Sequence, residues 1–565
     1  MKIFENLANL KASKLTAGQL TTTKGFYQAG DGGGATYLIK TSADYGEIPD
    51  EYGDHTLAGG TIAVLQTEGS VNVKQFGATG DGVTDDSAAI QAAIDFTESV
   101  EGSLYFPVGD YYCADRLYIN APISLYGHSS AKIIFSDGLT YGNTDTTGGG
   151  AIDVLETTSF SCKGLTFVSN DATTAGASII HLRGTSNITI TDCEFIGDNM
   201  LVGSKSLTVQ RGPTSSTPVK NVHITNNKFA TTPNAVLVIG NNSTYITNVN
   251  ISDNIVEGNS VIGGGGIKVD KYTNNVTIAN NTMNGKNTQE TAVAIEQGSY
   301  DVSVVGNNIS NYTEYGITVA DDSGDAGGLP VNDVFISGNH LYNIVTGIRF
   351  SSTAQTITTV KITGNTIDTS GNMIRIPDGN VVDLVITDNL LLNGAGCVIN
   401  SDDLIFSNNV HKSSSTDYAV LINNSSCPAV ITNNVFEQDA SANAAYNIAY
   451  GAAHSVDCYI KGNKGLRANS ERVSGTITLA PHIAVTEIYS SAGAVTATLP
   501  DGTYEGEIKT IHHSAVGSLN SSTVSVTNHE TSSPEVFTFG DRNDTLVLMW
   551  MGNQWITIAN SGAAV

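Results

Sequence analysis

The sequence predicts an all-β chain whose main part is a right-handed, single-stranded parallel β-helix, a solenoid of short strands stacked coil upon coil. Two observations support this fold class. Only 14% of the 565 residues are charged and Pro numbers just 12, while Gly numbers 59 and Asn, Thr, Ser, Val and Ile abound. Such a composition favours strands and tight turns over helices. In addition, one alternating motif, apolar-x-apolar-x-x-Asn-x-apolar, returns from about residue 160 to residue 465.

The recurrence of this motif is the stronger signal. Its spacing varies from 20 residues, between Asn389 and Asn409, to 34 residues, between Cys193 and Asn227. This spread excludes helical repeats of fixed period and suits short strands joined by variable turns. One coil cannot bury its apolar row alone, so neighbouring coils share a core and their Asn side chains are expected to hydrogen-bond from coil to coil. The motif Asn residues are Asn227, Asn254, Asn281, Asn307, Asn339, Asn365, Asn389, Asn409, Asn434 and Asn463, with Leu165 and Cys193 in the same slot earlier.

A helix is predicted at the start of the solenoid. Thr84 and Asp85 are suitable N-cap residues in front of an amphipathic segment, and they place the helix near residues 85–98. Such a helix would cover the open end of the coil, where unpaired strand edges invite aggregation.

Three regions follow from these patterns. Residues 1–70 form an N-terminal strand-and-turn segment, residues 71–470 form the β-helix, and residues 471–565 form a small β-sandwich of alternating strands. Trp550 and Trp555 are expected to pack in the core of that sandwich.

Charge and cysteine usage exclude several classes of partner. A net charge of −27 repels phosphate backbones, so no nucleic acid partner is expected. The six cysteines form no CxxC pair, so neither a zinc site nor another cofactor is expected. No apolar run reaches the length of a signal segment or a membrane span, so synthesis in the cytoplasm without membrane insertion is expected.

Three segments resemble a known family. "FYQAGDGGGATYLI" (26–39), "VKQFGATGDGVTDDSAAIQAAIDF" (73–96) and "LYFPVGDYY" (104–112) are similar to the entry of the pectate-lyase-like β-helices of phage tailspikes and capsule depolymerases. With the repeats, the resemblance covers roughly residues 20–470. It implies an intertwined or side-by-side homotrimer, attached to phage tail or baseplate proteins of the virion. It also implies binding, and usually cleavage, of a bacterial surface polysaccharide: capsule, exopolysaccharide or O-antigen.

A set of strands after the Asn turns carries the candidate site. When these strands are aligned by inward Ile and Val residues, alternation sends Lys268, Asp270, Glu296, Arg349 and Arg375 to the outer face. Stacked strands lie about 4.8 Å apart, so these residues would form a lengthwise column.

The acidic members of the column suggest glycoside hydrolysis. Asp270 and Glu296 would be neighbours, with Asp321 and Asp322 one coil further. Carboxyl groups this close raise one another's pKa, which would keep one protonated as the acid while another acts as base or nucleophile. The simplest alternative is that these carboxylates are only solvated. A calcium site in the acidic turn at residues 320–330 is a further alternative.

Basic and aromatic residues would complete a glycan site. Arg349 and Arg375 are suited to hold a carboxylate or sulfate, with Lys268 beside them. The tyrosines Tyr272, Tyr300 and Tyr315 would either stack on sugar rings or fill gaps between subunits. The histidines His181, His223, His340 and His411 lie on different coils and are expected to be solvated.

The leading hypothesis is therefore hydrolysis of a surface polysaccharide by Glu296 with Asp321 or Asp322. Three alternatives remain open. A polysaccharide lyase would use Arg349 with a nearby Tyr, a receptor-binding spike would bind the glycan without cutting it, and a structural adhesin is disfavoured by the lack of a signal segment. The residues do not distinguish a retaining from an inverting mechanism.

Overall fold

The computed structural model describes residues 1–67, 69–136, 139, 149–169, 177–197, 200–201, 203–212, 218–240, 245–258, 263–321, 330–352, 355–413, 419–424, 427–438, 448–450, 458–464, 470–479, 481, 484–490, 493–502, 505–515 and 519–565. The chain divides into two compact units, residues 1–358 and 359–565. The all-β fold class is confirmed, because strands dominate both units. None of the helices in the described part is long and apolar enough to cross a membrane.

The first unit begins with a small five-stranded sheet. Its strands, in spatial order, are Lys2–Phe4, Leu20–Thr23, Thr36–Lys40, Ile62–Gln66 and Asp54–Thr56. Two short helices, Leu7–Lys11 and Ser42–Tyr45, accompany the sheet. Tyr37 and Ile39 alternate inward and are buried, as expected for a strand with one covered face.

The predicted capping helix is present at Ser87–Ser99, but its start was wrong by two residues. Thr84 and Asp85 are the last residues of strand Asp81–Asp85. That strand pairs with the next coil, and this pairing overrides the local capping preference. Asp86 is the N-cap residue, yet its carboxylate accepts hydrogen bonds from the turn before the strand, not from its own helix.

Three stacks of parallel strands build the coils of the first unit, and a 3-10 helix, Val73–Phe76, follows the first of these strands. Sheet I consists of Leu117–Ile119, Gly150–Leu155, Ser178–Arg183, Lys205–Gln210, Asn234–Ile239, Gly265–Asp270, Thr291–Glu296, Tyr315–Asp321 and Thr346–Ser352. Sheet II consists of Ser70–Asn72, Ser103–Phe106, Ile123–Gly127, Phe160–Lys163, Ile188–Thr191, Val219–Thr225, Ile246–Ser252, Thr273–Ala279, Tyr300–Val305 and Asn332–Ser337. Sheet III consists of Asp81–Asp85, Gly109–Cys113, Ala131–Phe135, Thr166–Ser169, Glu194–Ile196, Lys228–Thr232, Ile255–Gly258, Thr282–Asn284, Asn308–Ser310 and His340–Ile344.

The second unit contains further parallel coils and two sheets that share one core. The coil strands are Thr366–Thr369, Asn372–Thr387, Leu390–Leu392, Gly396–Ser401, Leu404–Ser407, Val410–Ser413, Val420–Ile422, Ala429–Thr432, Val435–Gln438, Ile448–Tyr450 and Cys458–Lys461, and strand Ile357–Thr363 spans the unit boundary. One C-terminal sheet contains Ser470–Val473, Val485–Tyr489, Ile508–Ser514, Thr545–Trp550 and Trp555–Ser561. The other contains Thr476–Thr478, Thr496–Leu499, Ser522–Val526 and Glu535–Phe539.

The two tryptophans lie in this C-terminal core. Trp550 and Trp555 are buried with the apolar residues of both sheets, and their rings meet edge to face with centroids 5.4 Å apart. The indole N–H of Trp555 donates to the carbonyl of Pro500 at 2.9 Å. The packing expected for both residues is confirmed.

The expected asparagine ladder runs through the coils of each unit. In the first unit the side-chain amide of each motif Asn donates to the carbonyl oxygen of the next at 2.9–3.1 Å, from Asn227 to Asn339. All five residues are at most 2% exposed. Cys193 occupies the preceding slot, where its backbone N–H donates to Asn227 at 3.0 Å. A second ladder joins Asn365, Asn389, Asn409, Asn434 and Asn463 in the second unit.

Replacement of a ladder residue is expected to destabilise the first unit strongly. The Asn281 side chain takes part in four hydrogen bonds, so Asn281→Ala leaves buried donors and acceptors of neighbouring coils unpaired. We expect a loss of about 3 kcal/mol or more in the free energy of unfolding, measured by urea titration. The control is Asn275→Gly, which removes an exposed inter-coil amide bond and should cost less than about 1 kcal/mol. Equal losses would contradict the ladder's role.

His411 is buried rather than solvated, which corrects the expectation from the sequence. It lies in register between Leu391 and Phe436, is fully buried, and neither ring nitrogen has a hydrogen-bond partner among the described residues. Burial lowers the pKa of His411 to about 4.

This buried imidazole predicts an acid-sensitive stability. An unfolded histidine titrates near pH 6.5, so between about pH 6.5 and 4 the unfolded chain binds the extra proton and the native state does not. The free energy of unfolding therefore keeps its full value above about pH 6.5, as far as His411 is concerned. It falls by roughly 3 kcal/mol as the pH approaches 4. His411→Leu should remove this component in urea titrations across the pH range, whereas His340→Gln, at an exposed site, should not. An unchanged acid dependence in His411→Leu would refute the assignment.

Candidate functional site

Sheet I carries an outward row of side chains in strict register. Lys268 lies opposite Ala294, Ala294 opposite Thr318, and Thr318 opposite Arg349. Buried Ile, Val or Phe residues flank each of these positions, so the row faces away from the core. The register agrees with the alignment predicted from the sequence, and each step along the row is about 4.8 Å.

Lys268, Asp270 and Glu296 form one cluster on this face, here named the acid–lysine cluster. The Lys268 ammonium lies 2.7 Å from a carboxylate oxygen of Glu296 and 3.6 Å from one of Asp270. Burial by itself lowers the pKa of Lys268, but the two carboxylates, Glu296 foremost, outweigh it and raise that pKa above its usual value. The lysine is therefore a charged group and not a base.

The sequence-based expectation that repulsion keeps one of these carboxyl groups protonated did not include this ammonium. A nearby ammonium stabilises the ionised form of a carboxylate. Here the Lys268 ammonium lies close to the carboxylates of both Asp270 and Glu296. The Glu296 side chain is 16% exposed and accessible to a ligand. Glu296 thus fits the role of base or nucleophile better than that of proton donor.

Asp270 lies on the outer face beside Lys268, but its carboxylate is buried and not solvated. It is only 6% exposed, and its second oxygen is buried without a hydrogen-bond partner among the described residues. Its other oxygen faces Lys268. The arrangement suits a residue that holds the lysine in place.

The remaining acidic candidates lie at the edge of what the structure describes. Glu296 is opposite Ala320, and Asp321 is one position further along its strand, opposite Ser352. The side chain of Asp321 and the whole of Asp322 lie outside the described residues. Their proposed role as second carboxylate stays a prediction.

Tyr315, Thr318 and Arg349 form a second polar group, here named the Arg349 patch. The Arg349 guanidinium lies over the Tyr315 ring, 4.9 Å from its centroid, and donates to the hydroxyl of Ser351 at 3.1 Å. Thr318 is 7% exposed. Its hydroxyl oxygen and the Nε of Arg349 are both buried without partners among the described residues.

Tyr272 and Tyr300 lie at the corner that follows the strands of the acid–lysine cluster. Both rings meet Tyr245 edge to face, with centroids 5.5 and 5.8 Å from it, and the Asn274 amide donates to the Tyr300 hydroxyl. Sequence reasoning missed Tyr245. It directly precedes a sheet II strand, as Tyr272 does in the next coil, and this repeated position could have revealed it.

An ion-pair network occupies the same outward row several coils earlier, and sequence reasoning missed it too. The Asp153 carboxylate accepts from Arg116 at 2.5 Å and from Arg183 at 2.8 Å. His181, expected to be solvated, is fully buried, with its Nε2 2.9 Å from the side-chain oxygen of Gln210. Because Asp153 already binds two arginines, this network fits a structural anchor.

Arg375 lies in the second unit, on strand Asn372–Thr387. It is exposed between the buried Ile374 and Ile376, as the alternation predicted. Within the described residues, no group of three or more His, Cys, Asp or Glu side chains is arranged to hold a metal ion.

Comparison with known proteins finds similarity over parts of the chain. Residues 70–318 match the family model "Rhamnogalacturonase A/epimerase, pectate lyase-like". The mannuronan C5-epimerase AlgE1 of Azotobacter vinelandii is 61% identical over 41 residues, which are 7% of this chain and 3% of that protein. A glucan 1,3-beta-glucosidase of Cochliobolus carbonum is 35% identical over 79 residues, 14% of this chain and 10% of that protein. The matched segments thus span a small part of each relative.

Solved structures with a similar course of the chain are distant in sequence. The A-module of the Azotobacter vinelandii mannuronan C-5 epimerase AlgE6 is 16% identical, with a TM-score of 0.49 over 70% of this chain and 98% of that one. The tailspike protein of Acinetobacter baumannii phage AM24 is 15% identical, with a TM-score of 0.45 over 67% of this chain and 64% of that one. Residues 70–318 thus match a pectate-lyase-like family model, and the stacked parallel strands of this region form a parallel β-helix.

Proposed function

We propose that the chain is a phage tailspike that binds a bacterial surface polysaccharide and depolymerises it by hydrolysis of glycosidic bonds. The acid–lysine cluster is the observation that carries the proposal: an accessible carboxylate, Glu296, is held 2.7 Å from a charged lysine on the outer face of a β-helix. The match of residues 70–318 to a pectate-lyase-like family supports a polysaccharide as the substrate. In this proposal the spike is a homotrimer on phage tail or baseplate proteins and acts at the host cell surface.

Glu296 takes the role of the ionised carboxylate in the proposed reaction. Hydrolysis needs a second carboxyl group that donates a proton to the leaving oxygen. Asp321 and Asp322 follow Ala320, the residue opposite Glu296, and one of them takes this role. Asp270 is a positioning residue, because its contact is with Lys268 and its carboxylate is buried.

The tyrosine corner would add apolar surface for sugar rings. Tyr245 is more than one-third exposed and contacts both Tyr272 and Tyr300, so the three form one aromatic group beside the strands of the cluster. Aromatic rings with a polar hydroxyl suit a ligand that is apolar on its faces and polar on its rim.

A lyase reaction is the second candidate, and the Arg349 patch is what favours it. β-Elimination needs a cation that neutralises a uronate and a base that removes a proton. The Arg349 guanidinium and the Tyr315 phenol lie together on the outer face, and they would supply these two groups. An unsaturated, ultraviolet-absorbing product would identify this reaction.

Removal of the Glu296 carboxylate is expected to abolish depolymerisation. Glu296→Gln should lower the rate of chain shortening about 10³-fold, because the substituted amide cannot act as base or nucleophile. The measurement is size-exclusion chromatography of capsular polysaccharide or lipopolysaccharide from candidate host strains after incubation with protein. The control is Glu290→Gln, at an exposed carboxylate in the same coil, which should keep full activity. Shortening by Glu296→Gln at the wild-type rate would reject the site.

Removal of the Lys268 charge is expected to shift the pH dependence of the reaction. Without the ammonium, the ionised form of Glu296 loses its stabilising partner, so a higher pH is needed to ionise it. Lys268→Gln should move the acid limb of kcat/KM upward by about one pH unit. The matched variant is Lys286→Gln, at a lysine remote from the row, and its profile should equal that of the wild type. An unshifted acid limb in Lys268→Gln would contradict the role of this ion pair.

A further inference from the structure

The Arg349 patch lies on the same outward row as the acid–lysine cluster. In register, Lys268 is followed by Ala294, then Thr318, then Arg349. Glu296 and Ala294 lie on the same strand. The strand of Arg349 is the second strand after it in the stack, at a distance of about 10 Å. Ala294 offers only a methyl group between the two sites, which leaves room for a ligand that runs along the row.

Three buried polar atoms along this row have no hydrogen-bond partner among the described residues. They are the second carboxylate oxygen of Asp270, the hydroxyl of Thr318 and the Nε of Arg349, all buried and without hydrogen-bond partners among the described residues. Each unmet buried group costs about 1–3 kcal/mol, and native proteins contain few of them. Three on one face favour a ligand rich in hydroxyl and anionic oxygens that supplies the missing bonds.

The charge of Arg349 is not balanced by a carboxylate of the described residues. Its interactions there are the Tyr315 ring and the hydroxyl of Ser351, both neutral. A guanidinium that lies over an aromatic ring retains N–H groups at its edge, in the fork geometry that binds a carboxylate through two hydrogen bonds.

From these observations we infer that the Arg349 patch is a subsite for a carboxylate of the substrate, so that the polysaccharide cut by this protein is acidic. This inference rests on the proposed function and adds its substrate class. Two carboxylates lie beside the Lys268 ammonium in the acid–lysine cluster, whereas no carboxylate of the described residues lies beside Arg349. The charged sugar therefore lies at the Arg349 patch, about two strand steps from the bond that is cleaved.

The test compares acidic polysaccharides with their neutral counterparts. Uronate-containing capsular polysaccharides are used as isolated and after carbodiimide activation and borohydride reduction, which converts carboxylates to primary alcohols. Binding to the full chain carrying Glu296→Gln is measured by surface plasmon resonance. We expect reduction of the polymer to weaken binding at least tenfold. A tenfold loss corresponds to the lower end of the free energy that a charge-assisted hydrogen-bond pair contributes.

Variants of Arg349 then assign this preference to the patch. In the same background, Arg349→Gln should weaken binding of the acidic polymer about tenfold and make both polymers bind alike, while Arg349→Lys keeps part of the preference. Lys220→Gln removes one charge from an exposed position on sheet II and should change nothing. Equal binding of both polymers by the Glu296→Gln protein, binding of no acidic polymer, or an intact preference in Arg349→Gln would each overturn the inference.

The same samples separate this inference from the proposed reaction. Chain shortening by the wild type is followed in parallel on each polymer. An Arg349-dependent preference without shortening would refute depolymerisation and keep the subsite. Shortening by the wild type with no dependence of binding on Arg349 would refute the subsite and keep depolymerisation.

Discussion

The buried asparagine ladder sets the vertical register on which every functional residue of the first unit depends. Each motif Asn uses its amide to bind both the backbone and the side chain of neighbouring coils, and these bonds lie where water cannot replace them. A coil that slipped by one residue would leave these groups unpaired and would turn its inward Ile and Val outward. Lys268 and Glu296 come from different coils, so their 2.7 Å contact exists only because the register is fixed.

The outer face of sheet I combines two electrostatic environments along one row. At the acid–lysine cluster, a single ammonium compensates two carboxylates, and burial strengthens these contacts relative to water. At the Arg349 patch, a guanidinium rests on a tyrosine ring with polar groups that lack partners around it. In a chain of net charge −27, this face carries the cations Lys268 and Arg349 together with the carboxylates of Asp270 and Glu296. This pattern suits a long polar ligand better than a small one.

Much of this architecture could be predicted from the sequence because its signals are local and repeated. The V-x-I alternation and the recurring Asn gave the parallel coils, the ladder and the row containing Lys268 and Arg349. The helix start was two residues wrong because strand Asp81–Asp85 pairs with a later coil, which a capping rule does not include. The burial of Asp270 and His411 depends on what packs over each residue from elsewhere in the chain.

The position of Lys268 shows the same limit for the site. Alternation predicted that the lysine faces outward, but not that its ammonium bends toward Glu296 on the adjacent strand. This contact places an ammonium beside two carboxyl groups that were predicted to interact only with each other. Charge counting along one strand could not reveal it, because the deciding partner lies 28 residues further along the chain, at position 296 against position 268.

We propose that a sugar chain lies lengthwise on sheet I, across Glu296 and Arg349. The most direct measurement is a crystal structure of the Glu296→Gln protein with oligosaccharides that the wild type releases from an acidic capsular polysaccharide. We expect sugar rings within hydrogen-bond distance of residue 296, with a carboxylate at the Arg349 guanidinium. Sugars bound on another sheet, with both sites unoccupied, would contradict it.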